Sequence, residues 1–113
     1  MEVWQKAHQF VLDVYKYTKE FPKEEVYALT SQFRRAAISI PANISEGYPK
    51  QSLKDKIRFY EYAQSSMSEC EYYLILSEDL GYGDNSKLKD MLSEISKMLT
   101  SYILKIKKSS EYK

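Results

Sequence analysis

The stretch 34-RRAAISIPANISEGYPKQS-52 decides how this chain folds, because a proline interrupts a helical pattern inside it. Apolar residues recur every three or four positions before and through it, which predicts a helix over 24–47. These positions are Val26, Leu29, Phe33, Ala36, Ile40 and Ile44. Pro41 lacks a backbone N–H and crowds the preceding turn, so we expect a kink there. Ile40 and Ile44 keep one phase across Pro41, which favours a continuous helix over the alternative, a true turn in a three-helix fold.

Three further segments carry the same apolar spacing and predict helices over about 3–20, 52–80 and 86–108. Their predicted inward positions are Val3, Ala7, Phe10, Val14, Thr18 and Phe21, then Leu53, Ile57, Tyr60, Met67, Cys70 and Leu74, then Leu88, Met91, Ile95, Met98, Tyr102 and Ile106. Ser52 is placed to cap the third helix at its start, and Gly81 to close it.

The four predicted helices are joined by short connections, so neighbouring helices should run antiparallel. We therefore expect an all-α, up-down-up-down four-helix bundle formed by residues 1–113 as a single domain. Cys70 is the only cysteine, which excludes an internal disulfide and a cysteine-rich zinc site. The sequence has no apolar run long enough to cross a membrane and no secretory signal pattern, so a cytoplasmic protein is expected.

A polar stripe follows the second helix beside its apolar positions, and it should pack against another helix or another subunit. Its members are Gln32, Arg35, Ser39, Asn43 and Glu46. One interpretation is a structural network that fixes helix register; the other is a notch that contacts a ligand or RNA. Pro41 leaves the carbonyl of Ala37 without its usual donor, and the side chains of Ser39 and Asn43 are candidates to replace it.

The charges are unevenly distributed although the formal net charge is only +1. Residues 31–60 hold six basic and two acidic groups, residues 61–84 hold six acidic and no basic groups, and residues 85–113 hold seven basic and three acidic groups. An antiparallel bundle brings the first and last of these clusters to one end, which predicts a basic pole and an opposite acidic pole. The candidate nucleic-acid-binding residues are Arg34, Lys50, Lys54, Lys56, Arg58, Lys105, Lys107 and Lys108. Tyr48 or Trp4 is expected to stack on an unpaired base.

Catalysis is not expected, because the sequence lacks the required groups. His8 is the sole histidine, and no cysteine or carboxylate cluster accompanies it at metal-ligand spacing. We therefore predict no catalytic residue, no metal and no cofactor. The many tyrosines indicate self-association, and the alternative function is an oligomeric scaffold that binds a protein and has no nucleic-acid role. The tyrosines outside the apolar positions are Tyr15, Tyr17, Tyr62, Tyr72 and Tyr73.

The segment SQFRRAAISIPANISEGYPKQSLKDKIRFYEYAQSSMSECEYYL, residues 31–74, resembles the core of the bacterial 23S rRNA intervening sequence proteins. The resemblance extends from VWQKAHQFVLDVY at the start to the last helix. It implies a four-helix bundle that assembles into a ring-shaped homopentamer. It also implies a distant similarity to the accessory variability protein of a diversity-generating retroelement, a basic nucleic-acid binder. RNA or DNA is therefore the expected partner, alongside other copies of the chain, and no membrane is expected.

Overall fold

The structure, a computed structural model, describes residues 1–112 and contains four α-helices. They are α1 (Glu2–Thr18), α2 (Leu29–Gly47), α3 (Leu53–Asp79) and α4 (Ser86–Lys108), with a short 3-10 helix (Lys23–Glu25) before α2. No strand occurs within residues 1–112. The molecule is elongated, with extents of 50 × 23 × 19 Å. In the part of the chain that is described, no helix is long and apolar enough to cross a membrane.

Each helix packs against two others around one apolar core: α2 contacts α1 and α3, and α4 contacts α3 and α1. The six inward positions predicted for the first segment are all buried, from Val3 to Phe21. Phe10, Phe33, Tyr60 and Leu74 are among the largest fully buried side chains. Burial of one such side chain stabilises the fold by about 1.5–3 kcal/mol. The all-helical fold class predicted from the apolar spacing is confirmed.

The second predicted helix, 24–47, begins too early. Residues 23–25 form the 3-10 helix, the chain then turns, and α2 starts only at Leu29. Ala28 breaks the helical path, with φ −127° and ψ −105°. Val26, predicted to face inward, is 46% exposed as a consequence. The apolar spacing continues across residues that form a turn, so it does not mark the start of the helix.

Pro41 lies inside α2, and the helix continues past it to Gly47. The alternative of a true turn at Pro41 is therefore wrong. Ile40 and Ile44 are completely buried on either side of it, so core packing holds the helix together where one backbone hydrogen bond is missing. The Asn43 side chain donates to the carbonyl oxygen of Ser39 at 2.8 Å and to its hydroxyl at 3.0 Å. The Asn43 side chain was a predicted donor to the carbonyl oxygen of Ala37, but it donates to Ser39 instead.

The predicted helix ends around α3 are confirmed. The Ser52 hydroxyl accepts a hydrogen bond from the backbone N–H of Asp55 at 3.3 Å. Gly81 adopts a φ of +80°, the left-handed conformation that a glycine allows after a helix.

The inward face of α4 differs from the prediction. Tyr102, predicted to lie in the core, is 38% exposed, and Met91, Met98 and Ile106 are only partly buried. The buried positions are Leu88, Leu92, Ile95, Leu99 and Ile103. Two apolar stripes share Leu88 and Ile95 on this helix, and contact with α1 and α3 selects the second stripe.

Candidate functional site

The end of α2, the start of α3 and the end of α4 form one pole of the bundle. The Lys56 ammonium donates to the carbonyl oxygen of Tyr48 at 2.7 Å, which joins α3 to the end of α2. Lys107 lies 3.7 Å from a carboxylate oxygen of Glu61, which joins α4 to α3. We call seven side chains at this end the basic pole: Lys50, Lys54, Lys56, Arg58, Lys105, Lys107 and Lys108. The structure thus groups seven of the eight predicted nucleic-acid-binding residues.

Carboxylates neutralise part of this basic pole. Besides Lys107 with Glu61, Lys50 lies 3.7 Å from Glu46 and Arg58 lies 3.4 Å from Asp55. All of these groups are at least one-third exposed. Exposed ion pairs stabilise a protein by only about 0–1 kcal/mol and are screened by salt. The carboxylates therefore compete weakly with any other anion that approaches.

Three cations of the basic pole form neither an ion pair nor a hydrogen bond within residues 1–112, whereas Lys56 donates to the Tyr48 carbonyl oxygen. They are Lys54, Lys105 and Lys108, and all three are exposed. Lys54 lies on α3, while the other two occupy the last turn of α4, where a positive charge also stabilises the helix end.

An aromatic pocket of about 230 Å³ opens at the same end of the molecule. Met1, Trp4, Ile44, Ser45 and Tyr48 line it. Tyr48 is 59% exposed, and the Lys56 ammonium lies 5.4 Å from the centre of its ring. The two aromatic residues predicted to stack on a base therefore share one pocket.

Arg34, the eighth predicted residue, lies at the other end of the bundle, near the start of α2 and the end of α1. Its Nε donates to the Thr18 hydroxyl at 2.8 Å, and Nη2 donates to the carbonyl oxygen of Tyr15 at 3.4 Å. The guanidinium also stacks over the Tyr15 ring, 4.4 Å from its centre. Arg34 therefore lies apart from the basic pole, and its role in nucleic-acid binding stays a prediction.

The polar stripe on α2 does not join helices of this chain. Gln32, Arg35 and Glu46 are exposed, while Ser39 and Asn43 are half-buried and bond to each other. The stripe therefore forms no register-fixing network between helices within residues 1–112, and most of it faces outward.

Hydrogen bonds fix the opposite end of the bundle, and no sequence pattern predicts them. The buried Asn85 side chain donates to the Leu74 carbonyl oxygen at 2.8 Å and to the Tyr17 hydroxyl at 3.1 Å. The Tyr17 hydroxyl in turn donates to the carbonyl oxygen of Gly83 at 2.9 Å. Burial raises the pKa of Tyr17, so its hydroxyl keeps the proton that it donates.

Acidic residues also lie toward this end, as expected for the acidic pole, and they include Glu78, Asp79 and Asp84. Lys89 pairs with Glu78 at 2.8 Å, and this hydrogen bond raises the pKa of Lys89.

The described side chains offer little for nucleophilic or metal chemistry. Burial raises the pKa of the Cys70 thiol to about 12, and the charge of Glu69 acts in the same direction. The thiol is therefore protonated and shielded from solvent. No group of three or more histidine, cysteine and acidic side chains is placed to hold a metal ion in the described part of the chain.

Comparison with known proteins places this chain in a class of small helical bundle proteins. The profile of the 23S rRNA-intervening sequence protein matches residues 1–101. The chain belongs to this family. The chain is similar to a protein of Bacteroides thetaiotaomicron VPI-5482 whose crystal structure is known and which is described as a protein with unknown function from the S23 ribosomal protein family. The two sequences are 28% identical, and their structures superpose with a TM-score of 0.77. The match covers 89% of this chain and 97% of the Bacteroides chain. No curated protein matches the sequence.

Proposed function

We propose that this protein is a non-enzymatic, homo-oligomeric member of the 23S rRNA-intervening sequence family that binds RNA in the cytoplasm through its basic pole. The observation that carries the proposal is the position of Lys54, Lys105 and Lys108. These cations have no ion-pair partner within residues 1–112 and lie at the same end as the pocket of Trp4 and Tyr48. Phosphate binding needs cations, and base stacking needs exposed aromatic rings, so this end offers both.

The proposed architecture is an up-down-up-down bundle with α2 kinked at Pro41. Its support comes from pairs of contacts along neighbouring helices. Lys89 near the start of α4 pairs with Glu78 near the end of α3, and Lys107 near the end of α4 pairs with Glu61 in the first half of α3. Antiparallel helices give this crossed order of contacts.

The proposed assembly is a homopentameric ring, as the family resemblance implies. The exposed tyrosines support self-association: Tyr15, Tyr62 and Tyr72 are 40%, 47% and 57% exposed. A ring that keeps its subunits parallel would collect the basic poles on one face. Each chain would then contribute a few cations to a larger phosphate-binding surface, although its own net charge is near zero.

In the proposed complex, RNA phosphates contact the three unpaired lysines and displace the weakly held carboxylates Glu46 and Asp55 from their partners. An unpaired base enters the pocket between Trp4 and Tyr48. Its volume of about 230 Å³ is that of a small pocket, suited to a base and not to a whole nucleotide chain.

The test is binding of a labelled structured RNA, followed by fluorescence anisotropy over a series of salt concentrations. Trp4 is the only tryptophan, so its intrinsic fluorescence reports base stacking in the same titration. The logarithm of the RNA-binding constant falls as the logarithm of the salt concentration rises. The triple variant Lys54→Gln/Lys105→Gln/Lys108→Gln should make this slope less steep by roughly 2, because each phosphate that a cation neutralises on a single strand contributes about 0.7. The matched control is Lys16→Gln/Lys87→Gln/Lys97→Gln, which removes three exposed charges from other surfaces and should leave the slope unchanged.

Absence of binding even at low salt would refute the proposed function. Equal slopes for the two triple variants would refute the assignment of the basic pole. The second candidate function is a protein-binding scaffold without a nucleic-acid role, which the exposed Tyr62 and Tyr72 favour. That candidate predicts no binding of RNA and no quenching of Trp4 fluorescence.

A further inference from the structure

A cationic groove of about 560 Å³ lies between the end of α1 and the start of α2, away from the basic pole. Its charged lining consists of Lys19, Lys23, Arg34 and Arg35, and it includes no carboxylate. None of these four cations forms an ion pair within residues 1–112. The groove therefore concentrates unneutralised positive charge in an otherwise nearly neutral molecule.

The same groove exposes apolar surface beside its cations. Tyr15 and Ile38 line it and are 40% and 43% exposed. Arg34 stacks on Tyr15, which fixes the guanidinium, and Nη1 has no hydrogen-bond partner in the described residues. A suitable partner therefore combines carboxylates with apolar groups.

The groove is also incomplete in its hydrogen bonds. Thr30 lines it and is only 7% exposed, yet its hydroxyl has no hydrogen-bond partner among residues 1–112. A buried hydroxyl without a partner is unfavourable, so binding of a group that supplies a hydrogen bond here is favoured. Glu25 does not line the groove, and its carboxylate accepts from Tyr82 at 2.7 Å and from the Leu29 backbone N–H at 3.4 Å.

A surface with the complementary composition occurs on α3 of this same protein. We define the acidic stripe as side chains that recur at helical spacing along its exposed side: Tyr62, Ser65, Glu69, Tyr72, Ile75 and Asp79. Glu69 and Asp79 form no ion pair within residues 1–112, and the stripe contains no basic residue. Tyr62, Tyr72 and Ile75 are each about half exposed, at 47%, 57% and 47%.

We propose that the cationic groove of one copy of this chain binds the acidic stripe of a second copy. This inference rests on the proposed homo-oligomer and assigns the two surfaces that meet in it. The carboxylates of Glu69 and Asp79 neutralise Lys23 and Arg35, while the tyrosines and Ile75 cover the apolar lining. Because the groove and the stripe are different surfaces, the contact is heterologous, and repetition of it produces a ring when the rotation closes.

The test reverses the charge of each surface separately. The groove variant is Lys23→Glu/Arg35→Glu, and the stripe variant is Glu69→Lys/Asp79→Lys. Lys87→Glu/Lys97→Glu is the matched control, since it reverses two exposed charges elsewhere on α4. Sedimentation velocity gives the assembled mass, and circular dichroism establishes that each variant remains helical.

Each surface variant alone should dissociate, with a self-association constant weakened by at least ~100-fold, because like charges then face each other. In an equimolar mixture the two variants should associate alternately, since each groove then faces a stripe of opposite charge. A five-membered ring cannot alternate throughout, so the expected product is an open chain or an even-numbered ring with a mass above that of either variant alone. The control should keep the wild-type mass. A wild-type mass for both surface variants, or a mixture that stays dissociated, would overturn the inference while leaving the homo-oligomer intact. A wild-type chain that is monomeric throughout would overturn both.

Discussion

Replacing Gly47 with alanine should destabilise the protein, although alanine is the better helix former. Gly47 lies at the end of α2, where a Cβ atom would meet Phe59 Cβ at 3.0 Å and the Lys56 carbonyl oxygen at 3.1 Å. A third close contact, also 3.1 Å, would form with Cε1 of Tyr60. Two of these atoms belong to or adjoin the backbone of α3, so they move only if the two helices separate.

The expected magnitude is the difference between two opposing terms. Alanine restricts the unfolded chain and would stabilise the folded protein by about 0.4–1 kcal/mol if it fitted. Overpacking at a helix contact costs about 1–3 kcal/mol. Since the contacts at Gly47 involve poorly movable atoms, we expect a net loss of about 1 kcal/mol, or roughly 4–8 °C in Tm.

Urea unfolding followed by circular dichroism measures this loss, and it is done at one protein concentration because the proposed assembly would make stability depend on concentration. Gly47→Val should cost more than Gly47→Ala, as the added methyl groups enlarge the clash. Ser45→Ala is the control, an exposed position in the same helix where the change should be small. A Gly47→Ala variant as stable as the wild type would refute the proposed tightness of the contact between α2 and α3.

Two further predictions concern ionisable groups. The hydrogen bond to Glu25 raises the pKa of Tyr82 to about 12 from an ordinary value of 10.0, so the contribution of Tyr82 to stability is present below pH 10.0 and disappears as the pH rises through about 12. Tyr82→Phe lacks this hydroxyl, so between pH 10.0 and about 12 its free energy of unfolding in urea should fall less than that of the wild type. Equal decreases for the two proteins would contradict the hydrogen bond between Tyr82 and Glu25. Cys70, whose thiol pKa burial raises to about 12, should react with a thiol reagent only after unfolding. Labelling of the folded protein as fast as of the unfolded protein would show that the thiol is accessible.

The helical core was predictable where one apolar stripe stood alone, and less so where two competed. Every inward residue predicted for the first segment, from Val3 to Phe21, is buried, and the adjoining Trp4 and Val11 are only partly buried. In α4 the stripe through Tyr102 and the stripe through Ile103 have similar spacing, so periodicity could not choose between them. The neighbouring helices make that choice, and a single sequence does not contain their positions.

The candidate site was also predictable only in part. The basic pole followed from helix direction and charge counting, which need no side-chain detail. The place of Arg34 did not follow, because its contacts with Thr18 and Tyr15 join residues on different helices. The cationic groove also escaped prediction, since Lys19 and Lys23 precede α2 in a segment that the apolar spacing assigns partly to helix.

The elongated shape has a consequence for stoichiometry. A chain that binds through its basic pole touches nucleic acid with its cross-section of 23 × 19 Å, while its 50 Å length points away. An RNA duplex is A-form, whereas a DNA duplex is B-form and advances about 3.4 Å per base pair, so on DNA one chain bound end-on occupies about seven base pairs. A chain lying on its side would occupy about twice as many. The number of chains bound to a long duplex at saturation therefore records which end of the bundle faces the nucleic acid.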